Sequence, residues 1–277
     1  MTAASPPIAT PRAPSAPGRI RRGGTSRGLR GYYWLMLALL YLPIVLLFIF
    51  SFNANTILSF PLKGFTLEWF QKLFQTPNLL AAVGRSVIVA LGASTIATVL
   101  GTMLALLLSR FDFRGKGALT SLAILPLLVP YFVLAVALLI LFRVIGIPLG
   151  LPTIAIGHAV VALPYTTLIV LARLLGFDRQ LEEAAMDLGA TYPSTLRLVL
   201  IPIAFPAIAS AFITAFTVSF DEFALALFLA GKDPTFPVYL YGQLRFATTL
   251  PVLIAAAVLL MAASLTLILV ANRIRQR

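Results

Sequence analysis

Six long apolar stretches constrain this chain more than any other feature of its sequence. Each is long enough to cross the roughly 30 Å hydrocarbon core of a bilayer as a helix that rises about 1.5 Å per residue. They lie at about 34–52, 83–108, 119–142, 153–172, 199–220 and 251–271. Soluble domains have about a quarter of their residues charged, whereas this chain has 11%. The sequence therefore predicts an all-α membrane protein with six transmembrane helices.

The segment before the first span differs from the rest of the chain. Residues 1–31 are rich in Pro, Ala, Ser and Gly and contain six arginines but no acid. Such a segment buries too little apolar area to fold alone. We predict a disordered basic tail at 1–31 and a six-helix domain at 32–277, with contact between the tail and anionic membrane lipid as the functional alternative.

The first apolar stretch is interpreted as a retained span rather than an export signal. Arg21-Arg22 precedes it, as in twin-arginine signals. However, the stretch has the length of a full span, and no small-x-small cleavage site follows it.

The distribution of basic residues predicts the orientation. Lys and Arg number 21 against 9 acids. Fifteen of these 21 lie in the two tails and in the loops that follow the second and fourth spans. Because loops inside the cell carry the excess of positive charge, we expect both termini in the cytoplasm. The basic residues form no groove with stacking aromatics, so we expect no nucleic-acid binding.

Small residues recur at every fourth position in two of the spans. They are Ala93, Ala97, Gly101 and Ala105 in the second, and Ala207, Ala211, Ala215 and Ser219 in the fifth. This spacing predicts stripes on which helices approach closely. Prolines within the spans can bend them; they lie at Pro43, Pro126, Pro130, Pro164 and Pro206.

Catalytic machinery is hard to find in the sequence. No Gly-x-x-x-x-Gly-Lys-Ser/Thr phosphate loop occurs. The one histidine, His158, has no carboxylate beside it in the sequence, and we interpret it as a residue that hydrogen-bonds between helices. We expect neither an enzyme nor a cofactor, and any energy for transport would come from a partner.

The segment 178–202 is the most charged part of the apolar body. Asp178 is a good N-terminal cap for a helix. Glu182 and Glu183 lie near its start, where the helix dipole favours acidic side chains. Gly189 is suited to end it. Thr191 can begin a second helix that runs to Pro202 at the start of the fifth span. We predict a helix–turn–helix that is continuous with the span. An amphipathic loop at the membrane surface is the alternative.

The spacing of this segment resembles a known motif. Glu183-Ala184-Ala185, three residues, Gly189, nine residues and then Val199-x-Ile201-Pro202 are similar to the EAA motif of binding-protein-dependent ABC importer permeases. The family pattern ends Ile-x-Leu-Pro, so Val199 and Ile201 are conservative departures.

The resemblance implies a type I ABC importer permease fold in the bacterial inner membrane, with a cytoplasmic coupling loop at about 173–200. It implies as partners ABC ATPase subunits, which bind the ATP, a second homologous permease and a periplasmic solute-binding protein. The residues implied to couple the ATPase are Glu182, Glu183, Ala184, Ala185, Asp187, Gly189 and Pro202.

Other short segments resemble the spermidine/putrescine branch of this family. They include Ser51-Phe52-Asn53, Gly64-Phe65-Thr66, Trp69-Phe70 and Ser219-Phe220-Asp221-Glu222-Phe223. The branch more often has two aspartates where this chain has Asp221-Glu222. The resemblance implies a small cationic solute, with Ser219, Asp221 and Glu222 on its pathway.

Several alternatives stay open at this stage. The two carboxylates can be ordinary charges at a membrane exit or helix caps, and the solute can be an opine or another small organic molecule. A secondary transporter would show a repeat of spans or buried ionisable residues along the pathway. A membrane assembly protein would not explain the spacing of the motif.

Overall fold

The computed structural model describes residues 27–56 and 59–275. The chain divides into two compact units, Met1–Leu46 and Leu47–Arg277. The described part of the first unit belongs to α1 (Arg27–Ser51), an apolar helix in which the rings of Tyr33 and Trp34 lie edge to face.

One boundary of the predicted tail is wrong. Residues 27–31 were expected to be disordered, but α1 already begins at Arg27. No proline separates these residues from the apolar run at Trp34. The helix of that run therefore extends back through Gly28 and Gly31 despite their low helix propensity, because adding residues to an existing helix is much easier than starting one. The remainder of the predicted tail, 1–26, lies outside the described residues.

The second unit is a helical bundle. Its helices are α2 (Glu68–Phe74), α3 (Pro77–Arg110), α4 (Lys116–Ile124), α5 (Tyr131–Val144), α6 (Leu151–Leu175), α7 (Gln180–Asp187), α8 (Tyr192–Thr195), α9 (Ile201–Phe220), α10 (Ala224–Leu229), α11 (Phe236–Gln243) and α12 (Leu250–Arg275). Short 3₁₀ turns lie at Leu125–Leu127 and Ala247–Thr249.

The small-residue stripes form the centre of the bundle. Ala93 and Ala97 of α3 pack with Ala215 of α9, together with alanines of α6. α6 approaches α3 closely at Gly101, because a methyl group there would lie 2.9 Å from the Thr166 side-chain Cβ. The predicted close packing is thus found within this chain, between α3, α6 and α9.

The third predicted span is broken. Among the described residues, five helices are long and apolar enough to cross a membrane. Lys116–Leu127 and Tyr131–Val144, which are bent by 106° at the break between them, make a sixth if the two are counted as one span. Pro126 and Pro130 lie at the break. Each lacks a backbone donor, and the residue before a proline is disfavoured in helix. The three other prolines, Pro43, Pro164 and Pro206, lie inside helices that continue through them.

Candidate functional site

The predicted turn after α7 has a defined backbone geometry. Gly189 has a φ of 91°, in the left-handed region. Its N–H donates to the Met186 carbonyl at 2.9 Å, and the Ala190 N–H donates to the Ala185 carbonyl at 3.1 Å. This pair of bonds is a Schellman motif, which satisfies the last carbonyls of a helix. Gly189 therefore ends α7 as the sequence predicts.

The two adjacent glutamates of α7 lie in different surroundings. Glu182 is buried, and its Oε1 lies 2.6 Å from Nη2 of Arg110, the last residue of α3. Glu183 lies about 100° further around the helix. It is exposed, and its side chain makes no ion pair or hydrogen bond with any described residue. Glu182 thus holds α7 to its own chain, while Glu183 faces outward.

The outward face of α7 combines apolar and small side chains. Leu181 and Met186 are exposed, and Leu188, just beyond the helix, is 90% exposed. Ala184 is exposed between them and Ala185 is half-buried, while Asp187 adds an exposed charge. Exposed apolar side chains grouped in this way are typical of a surface that contacts another protein.

The second half of this loop runs into a span without interruption. Residues 192–220 form one helical segment, in which Leu196–Leu200 is a π-helical turn. The Ile201 N–H donates to the Leu196 carbonyl, five residues back. Pro202 follows and has no N–H to donate. The predicted continuity between the loop and the fifth span is therefore present in the structure.

A second group of polar residues lies at the other end of α9, which is 20 residues long and so spans about 30 Å. The Glu222 carboxylate is buried and accepts backbone hydrogen bonds at 2.9, 2.9 and 3.2 Å from Ala224, Leu225 and Ala226. It therefore caps α10. His158 Nε2 also lies 3.2 Å from Glu222 Oε2, at ion-pair distance but without the alignment of a hydrogen bond.

Asp221 differs from its neighbour. It is exposed, and its side chain makes no hydrogen bond or ion pair with any described residue. Partial burial nevertheless raises the pKa of the Asp221 carboxyl above its ordinary value of 3.8. Of the two adjacent carboxylates, Asp221 is the one that remains open to a ligand.

The structure thus sorts the residues that the sequence singled out. The residues that the resemblance implies for ATPase coupling lie on α7, in the turn after it and at the start of α9. Ser219 and Glu222 both contact His158, whereas Asp221 stands apart from that cluster. Two features are not evident from the sequence, the carboxylate beside His158 and the ion pair between Arg110 and Glu182. In the sequence Arg110 looks like one of several loop charges. The available signal is its position at the end of an apolar span, where a buried arginine needs a nearby acid.

This arrangement defines a class of protein. A bundle of membrane-crossing helices has an exposed, partly apolar helix face at one end. At the other end it has a carboxylate with no partner among the described residues. Both features are expected for the membrane subunit of a transporter that another protein drives. The family model described as "Binding-protein-dependent transport system inner membrane component" matches residues 97–277, and the chain belongs to this family.

Relatives with assigned functions cover most of the chain. It is 34% identical to the spermidine/putrescine transport system permease protein PotC of Haemophilus influenzae, over 89% of this chain and 95% of the relative. It is 33% identical to PotC of Escherichia coli, over 93% and 94%. It is also 33% identical to the putrescine transport system permease protein PotI of Escherichia coli, over 81% and 82%. The resemblance to the polyamine branch is confirmed.

Solved structures share the fold. A bacterial ABC transporter that imports the acidic polysaccharide alginate has a TM-score of 0.68 at 17% identity, over 90% of this chain and 93% of that one. The MetNI methionine ABC transporter in an inward-facing conformation has a TM-score of 0.58 at 19% identity, over 76% and 98%. The predicted ABC importer permease fold is therefore confirmed.

Proposed function

We propose that this permease carries a small polycation, a polyamine such as spermidine or putrescine, across the bacterial inner membrane. ATP is hydrolysed by ABC ATPase subunits that dock on α7. The observation that carries the proposal is the difference between the two ends of the helical segment 192–220. One end joins α7, whose outward face has no partner among the described residues, and the other end leads to Asp221, whose carboxylate has none there either.

The docking role of α7 is supported by what its outward face lacks. Glu183 has no partner among the described residues, and Leu181, Met186 and Leu188 are exposed. Small alanines between them let another backbone approach closely. Because the chain continues without a break from α8 to the end of α9, a force applied at this loop acts directly on a span.

The excess of basic residues supports the orientation. The tails and the loops containing Arg110 and Arg179 hold most of the positive charge, so the positive-inside bias favours a cytoplasmic position for both termini and for α7. Asp221 then faces the periplasm. There it can attract a cation as it leaves a periplasmic solute-binding protein, since a carboxylate in a partly desolvated site acts over a longer range than one in open water.

A second permease completes the pathway. We propose a homologous partner as in the spermidine/putrescine branch, so that Asp221 lines a path shared by two subunits.

The test is uptake by a reconstituted complex. The chain is produced together with an ABC ATPase, a homologous permease and a periplasmic binding protein from the same organism. Proteoliposomes that enclose ATP are then given labelled spermidine and putrescine, with an opine panel as competitors. We expect a tagged chain to copurify the ATPase, and we expect ATP-dependent uptake that unlabelled polyamines inhibit and opines do not.

Two results would contradict different parts of this proposal. If no ATPase copurifies with the unaltered chain, the docking role of α7 is wrong. If the complex forms and hydrolyses ATP but only opines compete, the transport role stands and the polyamine assignment is wrong.

A further inference from the structure

A buried ion pair joins the docking helix to a span that is distant in the sequence. Arg110 Nη2 and Glu182 Oε1 lie 2.6 Å apart, with 6% and 8% of their side chains exposed. Arg110 also donates from Nη1 to the Leu174 carbonyl at the end of α6, at 3.1 Å. One arginine therefore connects α3, α6 and α7.

Two further contacts reinforce this junction. Arg179, just before α7, donates from Nη2 to the Ser109 carbonyl at 2.7 Å. The rings of Phe111 and Tyr192 lie edge to face, with centroids 5.9 Å apart. Three consecutive residues at the end of α3 thus contact both helices of the loop, so α3 follows the loop when the loop moves.

The span that receives these contacts is tightly bound to its neighbour. Thr166 Oγ1 on α6 donates to the Ala97 carbonyl on α3 at 2.8 Å, and Gly101 leaves no room between the two helices. A displacement of the end of α3 is therefore passed to α6 rather than absorbed by loose packing.

The surroundings of the pair distinguish it from a docking contact. A buried charge is tolerated when its counter-charge is present and is costly when the counter-charge is removed. Because Glu182 already uses its charge inside the chain, it is not free for another subunit, whereas Glu183 is.

We propose that Arg110 and Glu182 are a positioning pair that transmits movement of α7 into α3 and α6. The pair determines how much transport follows from each ATP, and it does not determine whether the ATPase binds. This inference rests on the proposed docking of an ATPase on α7.

The experiment compares three readouts in the reconstituted complex: copurified ATPase, the rate of ATP hydrolysis, and labelled spermidine taken up per ATP. For Glu182→Gln we expect copurification and hydrolysis to be kept, while uptake per ATP falls about tenfold. Glu182→Asp should keep part of the uptake per ATP. The double variant Arg110→Glu with Glu182→Arg should show more uptake per ATP than either single variant, Arg110→Glu or Glu182→Arg. The control is Asp112→Asn, which removes an exposed ion pair with Lys116 at the same end of α3 and should change nothing.

A readout without a solute separates this inference from the polyamine assignment. The chain has no cysteine, so Met103→Cys, at an exposed position on α3, gives a single site for a fluorescent label. ATP should change the label's emission in the otherwise unaltered complex, and Glu182→Gln should remove most of that change, whichever solute is carried.

Arg179→Gln keeps the test decisive if a variant of the buried pair fails to fold. Arg179 is exposed, so replacing it leaves no buried charge without a partner. We expect uptake per ATP to fall about threefold in this variant. The proposal is overturned if Glu182→Gln keeps normal uptake per ATP, or if it loses the ATPase as a Glu183 variant would. It is also overturned if Glu182→Gln does not fold and Arg179→Gln transports normally. Failure of the unaltered chain to bind any ATPase would instead overturn the docking role itself.

Discussion

His158 Nε2 lies 3.2 Å from Oε2 of Glu222, and His158 Nδ1 lies 2.8 Å from the Ser219 hydroxyl. All three side chains are buried. Because the same carboxylate caps α10, this contact joins α6, the end of α9 and α10 at one point. Both oxygens of Glu222 are occupied within the chain, which leaves the adjacent Asp221 as the open carboxylate.

Replacing Glu222 should destabilise the fold. Glu222→Ala removes a helix cap and the partner of a buried histidine, and we expect a loss of about 2–4 kcal/mol in the free energy of unfolding. Thermal unfolding in detergent, followed by circular dichroism, measures it. Glu68→Gln is the control, because Glu68 forms an exposed pair with Lys72 that contributes about 0–1 kcal/mol. Equal losses in the two variants would mean that the cluster around His158 is not structural.

Replacing Asp221 should affect the solute and not the fold. For Asp221→Asn we expect the apparent affinity for spermidine to fall about tenfold, equivalent to about 1.4 kcal/mol. The unfolding temperature should not fall, because the amide replaces a charge that burial disfavours. Asp233→Asn is the matched control, since Asp233 is exposed and lies 3.6 Å from Arg85. Unchanged uptake kinetics in Asp221→Asn would remove this carboxylate from the pathway.

Asp221 also predicts a dependence of uptake on pH. Burial raises the pKa of its carboxyl above 3.8, so the negative charge is lost at a higher pH than for a free aspartate. The apparent affinity for spermidine should weaken as the pH falls through this raised pKa, and Asp221→Asn should be flat there. The stability of the fold depends on pH in the opposite direction. Because the pKa is higher in the folded than in the unfolded state, the protonated carboxyl stabilises the folded protein at low pH. This contribution is lost as the pH rises through the folded-state pKa. A profile that is the same in both proteins would contradict the assignment.

Much of the fold can be predicted from local patterns of apolar and small residues in the sequence. The contacts between segments that are distant in the sequence cannot. Apolar length predicts the spans, and the spacing of residues such as Ala97 and Gly101 predicts where helices approach. The sequence marks Pro126 and Pro130 as irregular, but a missing donor does not determine the 106° angle between the two halves. That angle depends on how each half packs against the bundle.

The candidate sites divide in the same way. The motif around Glu183 and Gly189 is local in sequence, so its helix, turn and exposed face were predictable. The partner of Glu182 lies on another helix, as does the partner of His158, and only the folded bundle brings them together. Glu182 and Glu183 therefore look alike in the sequence, and so do Asp221 and Glu222, although in the structure each pair has one buried and one exposed member.

The contact between α3 and α6 predicts a large effect of one methyl group. In Gly101→Ala the added Cβ would lie 2.9 Å from the Thr166 Cβ and 3.0 Å from the Thr167 nitrogen, so the helices must separate. We expect a loss of about 1–3 kcal/mol in the free energy of unfolding. Gly84→Ala lies on the same helix with no atom within 4 Å of the new methyl group and should stabilise slightly, because alanine favours helix over glycine. A stable Gly101→Ala would show that the packing there is loose.

Gly189 offers a test of the docking helix through its backbone alone. Its φ of 91° is unfavourable for a residue with a side chain, yet no atom lies within 4 Å of an added Cβ. Gly189→Ala should therefore strain the turn by about 1–2 kcal/mol without a steric clash. The strained turn should fix the end of α7 less firmly. We expect less copurified ATPase than with the unaltered chain, and a smaller loss for Gly189→Asn, because asparagine tolerates the left-handed conformation better. Gly176→Ala is the control, since Gly176 follows α6 with an ordinary φ of −81° and its substitution should leave the yield of ATPase unchanged. Equal yields from all three variants would mean that the ATPase does not depend on how α7 ends.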